Sequence, residues 1–331
     1  MIRKDAHLVL NPFSPDLPQK PTRDGYGMGV VEAAAKNTDI VVMCADLTES
    51  TRNTEFKRLY PERFIQMGVQ EQLLAASAAG LALGGKIPYI TSYAMFCPGR
   101  AWEQVRTNIC LNDVNVKIIG SHAGVSVGPD GATHQAIEDI AIMRCIPNIT
   151  VIAPCDVHEA KKATLAIAKW KGPCYVRYAR EKTRVFTTER TPFEIGKAIT
   201  LRDGNDVAII GCGPLLWNAL KAADELSKQG LECTVINSHT IKPLDEKTIL
   251  DAAKRCKAVV TVEEHQVAGG FGSAVAEYLA KTCPVPIEFI GVQDEFGESG
   301  PPPDLIEHFG MGVKHIKAAA KKALKRKNAA S

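Results

Sequence analysis

Two doubly wound α/β domains are the fold class the sequence predicts, and three observations predict it. Short β-branched runs alternate with longer helical stretches along the chain, the pattern of helices packed on mainly parallel sheets. The 331 residues amount to about 2.2 typical domain lengths. The stretch EKTRVFTTERTPFE (181–194) carries charge, threonine and a proline but no long apolar period, and reads as a linker. The boundary is therefore set near residue 188. Residues 21–188 form a first domain, residues 189–331 a second, and residues 1–20, punctuated by Pro12, Pro15 and Pro18, an N-terminal arm.

The elements follow in order. GYGMGVVEAAAKN (25–37) has helical length and an alanine-rich end, and IVVMCA (40–45) after it is a buried-strand run. EQLLAASAAGLALG (71–84) is a helix of strong formers closed by glycine, and NVKIIGS (115–121) a strand. THQAIEDIAIMR (133–144) reads as a helix capped by Thr133, with Glu138 and Asp139 early along it. TVIAP (150–154) and YVRYA (175–179) are strands around the helix DVHEAKKATLAIAKW (156–170). Beyond the linker, strands DVAIIG (206–211), TVINS (234–238), AVVTVEE (258–264) and PIEFIGV (286–292) alternate with helices at 215–229, 246–256, 272–282 and 316–327.

Composition narrows the function classes. The chain is 45% hydrophobic and 23% charged, ordinary for a globular protein and unlike a disordered one. A net charge of +3 argues for neither a nucleic-acid nor an acidic partner. The apolar stretch Leu73 to Gly85 is short of the roughly 20 residues a membrane helix needs. The first residues lack the sustained apolar core of a signal peptide, so a cytoplasmic protein is expected. None of the ten cysteines forms a CxxC pair, and several lie in apolar runs, as buried thiols do. Glu263, Glu264 and His265 alternate along a strand end and cannot all face one metal ion. Gly211-Cys212-Gly213 lacks the third glycine of a dinucleotide fingerprint.

In open α/β sheets ligands sit beyond the carboxyl ends of the strands. In the first domain those ends offer Asp46, Ser121-His122 and Arg180, a richer set than the second domain's, so the site is placed there. The loop GSHAGVSVGPDGATHQAIED (120–139) adds His134, Asp130 and four glycines between a strand and a helix. Position alone makes Glu71 a first-turn helix acid favoured by the dipole. On exposure statistics the alternatives for these positions are a surface ion pair at Arg180 and a solvated charge at Arg23.

The Gly-x-Asp-Gly-x-Thr-His-Gln run at 128–135 resembles the transketolase signature. MGVQEQ (67–72), PYITSYAMF (88–96), YVRYAREK (175–182), TIKPLD (240–245) and VEEHQVAGGFGSAV (262–275) are similar to transketolase in the same order. The resemblance covers the family's pyrimidine-binding and C-terminal domains. The first domain, which grips the diphosphate of thiamine diphosphate through a Gly-Asp-Gly…Asn motif and a divalent cation (Mg or Ca), has no counterpart in this sequence. The resemblance thus implies the C-terminal subunit of a split transketolase. An N-terminal subunit would hold the cation, and the two would associate as a heterotetramer acting on sugar phosphates in the pentose phosphate pathway.

The resemblance also implies roles. Glu71 matches the glutamate that hydrogen-bonds the aminopyrimidine nitrogen N1′, with burial against an apolar ring raising its pKa. Tyr93 falls where the family has the phenylalanine stacked on the pyrimidine, and Phe96 matches a second aromatic. Asp46 matches an aspartate beside the thiazolium. His122 and His134 match histidines that bind the ketose hydroxyls and carbonyl oxygen and handle protons. Asp130 matches an aspartate that reads a sugar hydroxyl, and Arg23, Ser50 and Arg180 match groups that hold the sugar phosphate. Pro129 replaces the family's glutamate. One alternative is the related 1-deoxyxylulose-5-phosphate synthase chemistry, disfavoured by the paired His122 and His134. Another is a non-catalytic binding subunit, disfavoured by the intact Glu71, His122, Asp130 and His134.

Overall fold

The computed structural model describes residues 1–330, and it has the mixed α/β architecture, built on two mainly parallel sheets. The first sheet has seven strands in the order Thr240–Lys242, Thr150–Ile152, Cys174–Arg177, Lys117–Ser121, Ile87–Tyr93, Ile40–Cys44 and Phe64–Gln66. All are parallel except the edge strand Thr240–Lys242, which runs antiparallel to Thr150–Ile152. That edge strand comes from the second half of the chain, so the halves share a sheet. The second sheet has five strands, ordered Ile287–Val292, Val259–Gln266, Val207–Gly211, Cys233–Asn237 and an antiparallel Ile199–Arg202.

Helices cover both faces because the strands between them are buried on both sides. Thr22–Lys36 lies along Val157–Lys169, and glycines permit the close approach. A Cβ on Gly25 would stand 2.4 Å from the Val157 carbonyl oxygen, and one on Gly29 2.7 Å from Thr164 Cβ. Asp156 caps the second of these helices through the His158 and Glu159 N–H groups. Its other oxygen accepts from the Phe186 and Thr187 N–H groups and so fixes the start of the connecting segment. One apolar cluster runs from Val41, Met43 and Ile90 of the first sheet to Ile210, Ile236 and Phe271 of the second.

The N-terminal residues pack on the second half of the chain. Arg3 N–H donates to the Leu201 carbonyl, and Trp217 Nε1 to the Pro12 carbonyl, at 2.9 and 2.8 Å. All ten cysteines are free, and eight are buried, with Cys145 exposed and Cys283 intermediate. Among the described residues no helix is long and apolar enough to cross a membrane.

One expected helix is much shorter than the sequence suggests. The helix expected over 133–144 spans only Asp139–Arg144, and Thr133 caps nothing; its Oγ1 lies 2.9 Å from His134 Nδ1. The backbone before Asp139 is committed elsewhere. Gly124 N–H donates to the Ala136 carbonyl at 2.8 Å and Gln266 N–H to the Ile137 carbonyl at 2.7 Å, so these groups serve a tertiary junction.

Candidate functional site

After the strand Ile40–Cys44 the chain steps outward to Phe64–Gln66, then crosses back to Ile87–Tyr93 on the other side. The loops leaving Cys44 and Tyr93 therefore diverge, opening the crevice in which α/β sheets bind ligands. Most of the residues singled out above gather at this edge.

Tyr93 ends its strand, and its ring stacks on His122 at a centroid distance of 3.8 Å. The His134 ring stands 6.1 Å from Tyr93 and 5.4 Å from Phe96, edge-on to both. His122 follows the strand Lys117–Ser121 in a left-handed backbone conformation, φ 56°, uncommon for a residue with a side chain. Its Nε2 lies 3.1 Å from Arg23 Nη1 and its Nδ1 2.9 Å from Ser121 Oγ. A guanidinium can only donate, so Nε2 accepts and the ring proton resides on Nδ1, facing the serine oxygen. Burial, reinforced by the positive Arg23, pushes the His122 pKa down to about 2, which keeps the imidazole neutral. Burial and the nearby Arg52 likewise lower the pKa of Arg23.

Arg23 Nη1 also donates to the Ser50 carbonyl at 2.8 Å, so Ser50 enters the cluster through its backbone. Arg180 Nη1 donates to the Val127 carbonyl at 2.7 Å and stands 3.5 Å from the exposed Asp130 carboxylate. Asp46 leaves the adjacent strand in a left-handed conformation, φ 59°, with its N–H on Gln66 Oε1. Its carboxylate is exposed, and among the described residues no contact ties it to the histidines.

Glu71 opens the helix Glu71–Leu83 and is 1% exposed. Its Oε2 accepts from Arg100 Nη1 at 2.8 Å, so the carboxyl meets a cation where an apolar ring alone was expected. The Arg100 guanidinium lies 5.0 Å from the centre of the Phe96 ring. A continuous path thus runs from Glu71 through Arg100, Phe96, His134, Tyr93 and His122 to Arg23.

The second half of the chain holds the loop 120–139 in place. Glu264 Oε1 accepts the Ser126 N–H at 2.8 Å, and His265 Nε2 accepts the Ile140 N–H at 3.0 Å. Glu263 accepts the Phe271 and Gly272 N–H groups, so these three side chains serve backbone donors. Arg177 and Asp139, both buried, pair at 2.8 Å, with the Tyr175 hydroxyl on the same carboxylate at 2.6 Å. Gln135 Nε2 reaches the Val125, Gly128 and Glu298 carbonyls at 2.9–3.1 Å. Arg100, Arg177, Asp139, Gln135 and Glu264 escape the sequence reading as site-building residues. Arg177 carried a signal, a charge inside the apolar run YVRYA that requires a buried partner.

Comparison with known proteins gives two profile matches, the transketolase pyrimidine binding domain over residues 19–185 and the transketolase C-terminal domain over residues 196–316. The chain is 40% identical over 317 residues to the 6-deoxy-6-sulfo-D-fructose transketolase subunit SqwH of Clostridium sp. (strain MSTE9), covering 96% of this chain and 98% of that one. A solved structure described as a split gene transketolase, inactive β4 tetramer, superposes with a TM-score of 0.87 at 41% identity, covering 93% of this chain and 99% of that one. Against 1-deoxy-D-xylulose-5-phosphate synthase of Thermomicrobium roseum the chain is 39% identical over 308 residues, 91% of this chain but 49% of that one.

Proposed function

This chain belongs to the transketolase family as a C-terminal-type subunit, and we propose that it transfers a two-carbon ketol unit from a ketose phosphate to an aldose phosphate, active only with an N-terminal partner. The observation that carries the reading is the placement of Glu71, buried at a helix start on the same sheet edge as His122, His134 and Arg23.

The residues present fit the aminopyrimidine end of thiamine diphosphate, the family's coenzyme. Glu71 Oε2 is taken by Arg100, while Oε1 accepts no hydrogen bond from the described residues and is open to a ring nitrogen. Phe96 and Tyr93 offer aromatic surface beside it. When bound, the coenzyme supplies the electron sink that carbon–carbon cleavage needs.

This chain's residues do the rest. Glu71 orients and polarises the aminopyrimidine. His122, neutral and with its Nε2 lone pair engaged by Arg23, orients sugar hydroxyls, while His134 faces the same space from the other side of Tyr93 and handles the proton. Arg23 and Arg180 anchor the sugar phosphate with Ser50, and Asp130 reads a hydroxyl. Asp46 sets a negative charge at the cleft. The partner would hold the diphosphate through Mg or Ca. Self-association with two partner chains would give a heterotetramer; the relative described as an inactive β4 tetramer supports the self-association alone. The same reading sets the domain divide near residue 188 and the protein in the cytoplasm, in the pentose phosphate pathway.

The test mixes the chain with a candidate partner bearing the Gly-Asp-Gly…Asn motif, thiamine diphosphate and Mg²⁺, and assays ketose–aldose exchange. Exchange is expected, with Glu71→Ala losing it. Full activity in Glu71→Ala would overturn the mechanism. CO₂ release from pyruvate would indicate synthase chemistry instead, and no turnover with any partner a binding subunit.

A further inference from the structure

A cavity of about 440 Å³ opens between the two halves of the chain, with apolar walls that include Leu215, Pro302 and Ile306. Lys182 and Arg184 line it from the strand Lys182–Arg184, two residues apart and therefore on one face of that strand. Neither cation has an ion-pair partner among the described residues. The Arg184 guanidinium lies 4.3 Å from the Trp217 ring centre, and the indole is itself pinned by its bond to the Pro12 carbonyl. The planar cation is thus held in position before any ligand arrives. Its Nη1 is buried and has no acceptor. Ser126, 6% exposed, also lines the cavity, and its Oγ is buried without a partner. Two of the carboxylates on the same wall are engaged: Glu264 holds the Ser126 N–H and Glu307 pairs with Lys314 at 3.0 Å. Glu181 is the remaining acid.

Buried donors without acceptors cost free energy, which a ligand offering oxygens to both recovers. Two cations side by side match the nearly two negative charges of a phosphomonoester, where a carboxylate would leave one unmatched. The apolar walls and the volume accommodate an organic body. We propose that this cavity binds a small phosphorylated metabolite, its phosphate held by Lys182, Arg184 and Ser126. The contact with Ser126, on the loop that bears His122 and His134, ties occupancy of the cavity to that loop.

The test titrates the full chain with glycerol 2-phosphate while following tryptophan emission, with inorganic phosphate as the second probe. A saturable change is expected that Trp217→Phe abolishes. Arg184→Ala should weaken binding at least about tenfold, the worth of a charge-assisted hydrogen bond. Arg180→Ala, at the candidate active site, should leave it within about twofold. Should Arg184→Ala fail to fold, Ser126→Ala, which removes an unpartnered hydroxyl, must weaken binding several-fold. Overturning results are the absence of saturation, a signal lost in Arg180→Ala but kept in Arg184→Ala, unchanged binding in Ser126→Ala, or glycerol 2-phosphate binding no tighter than inorganic phosphate.

Discussion

Glu264 Oε1 accepts the backbone N–H of Ser126 at 2.8 Å across 138 residues of sequence, and through this bond the second half of the chain sets the position of a loop in the first. Gly124, two residues before Ser126, has φ 87°, and a Cβ there would stand 2.2 Å from the same oxygen. The carboxylate reaches the loop because position 124 has no side chain.

Glu264→Ala is therefore expected to speed amide exchange in the peptide 122–130 and to cost about 1–3 kcal/mol. Glu264→Gln, which keeps an oxygen acceptor, should retain most of the protection. Hydrogen-exchange mass spectrometry reads both, with the strand Ile40–Cys44 as the unaffected control. Unchanged exchange in the alanine variant would refute the loop-holding role.

Gly124→Ala should destabilise by roughly 2 kcal/mol, since it combines a clash with backbone strain. In the Glu264→Ala background only the strain remains, so the penalty should shrink. A double-mutant cycle by urea unfolding measures the difference, and additive penalties would count against the contact.

Arg23→Ala should raise the His122 pKa from about 2, because one of the positive charges opposing imidazolium is gone while burial persists. The titration of its ring proton by NMR gives the shift. A pKa that stays put would assign the depression to burial alone.

Arg177→Met leaves the Asp139 carboxylate buried beside only the Tyr175 hydroxyl and His265, and should cost about 3–5 kcal/mol. Replacing both partners, Arg177→Met with Asp139→Leu, should recover much of that loss. Denaturant midpoints decide whether the pair or its missing half sets the cost.

Burial depresses three histidines, His122 to about 2, His239 to about 3 and His265 to about 4. Each folded value lies below the ordinary histidine value of about 6.5. Their contribution is complete above that value and is lost as pH falls toward the folded pKa values, because the unfolded chain takes up protons first. Melting temperature should therefore drop between about pH 6.5 and 4.5. His239→Leu, which also removes an unpartnered Nε2, should flatten that slope.

The sequence reads best where one local pattern dominates. The Val- and Ile-rich strands at 40–44, 207–211 and 259–266 lie where their composition put them, because buried parallel strands are nearly all apolar. Ile87–Tyr93 escapes that reading, since Pro88, Thr91 and Ser92 dilute its pattern. Thr240–Lys242 has three residues and owes its existence to pairing with Thr150–Ile152. The placing of His122 and Arg180 at one edge follows from the strand ends, that of His134 from the loop 120–139, whereas Arg23 entered only through the family resemblance. The Glu71–Arg100 pair does not, because nothing local in a stretch of turns announces which way Arg100 points.

The edge strand Thr240–Lys242 makes the halves of this polypeptide poor candidates for separate production. A fragment stopped at the expected divide would present the flank of Thr150–Ile152 as a row of open amides and carbonyls, an invitation to stick to its neighbours. A cut through the middle of this chain would sever a hydrogen-bonded seam.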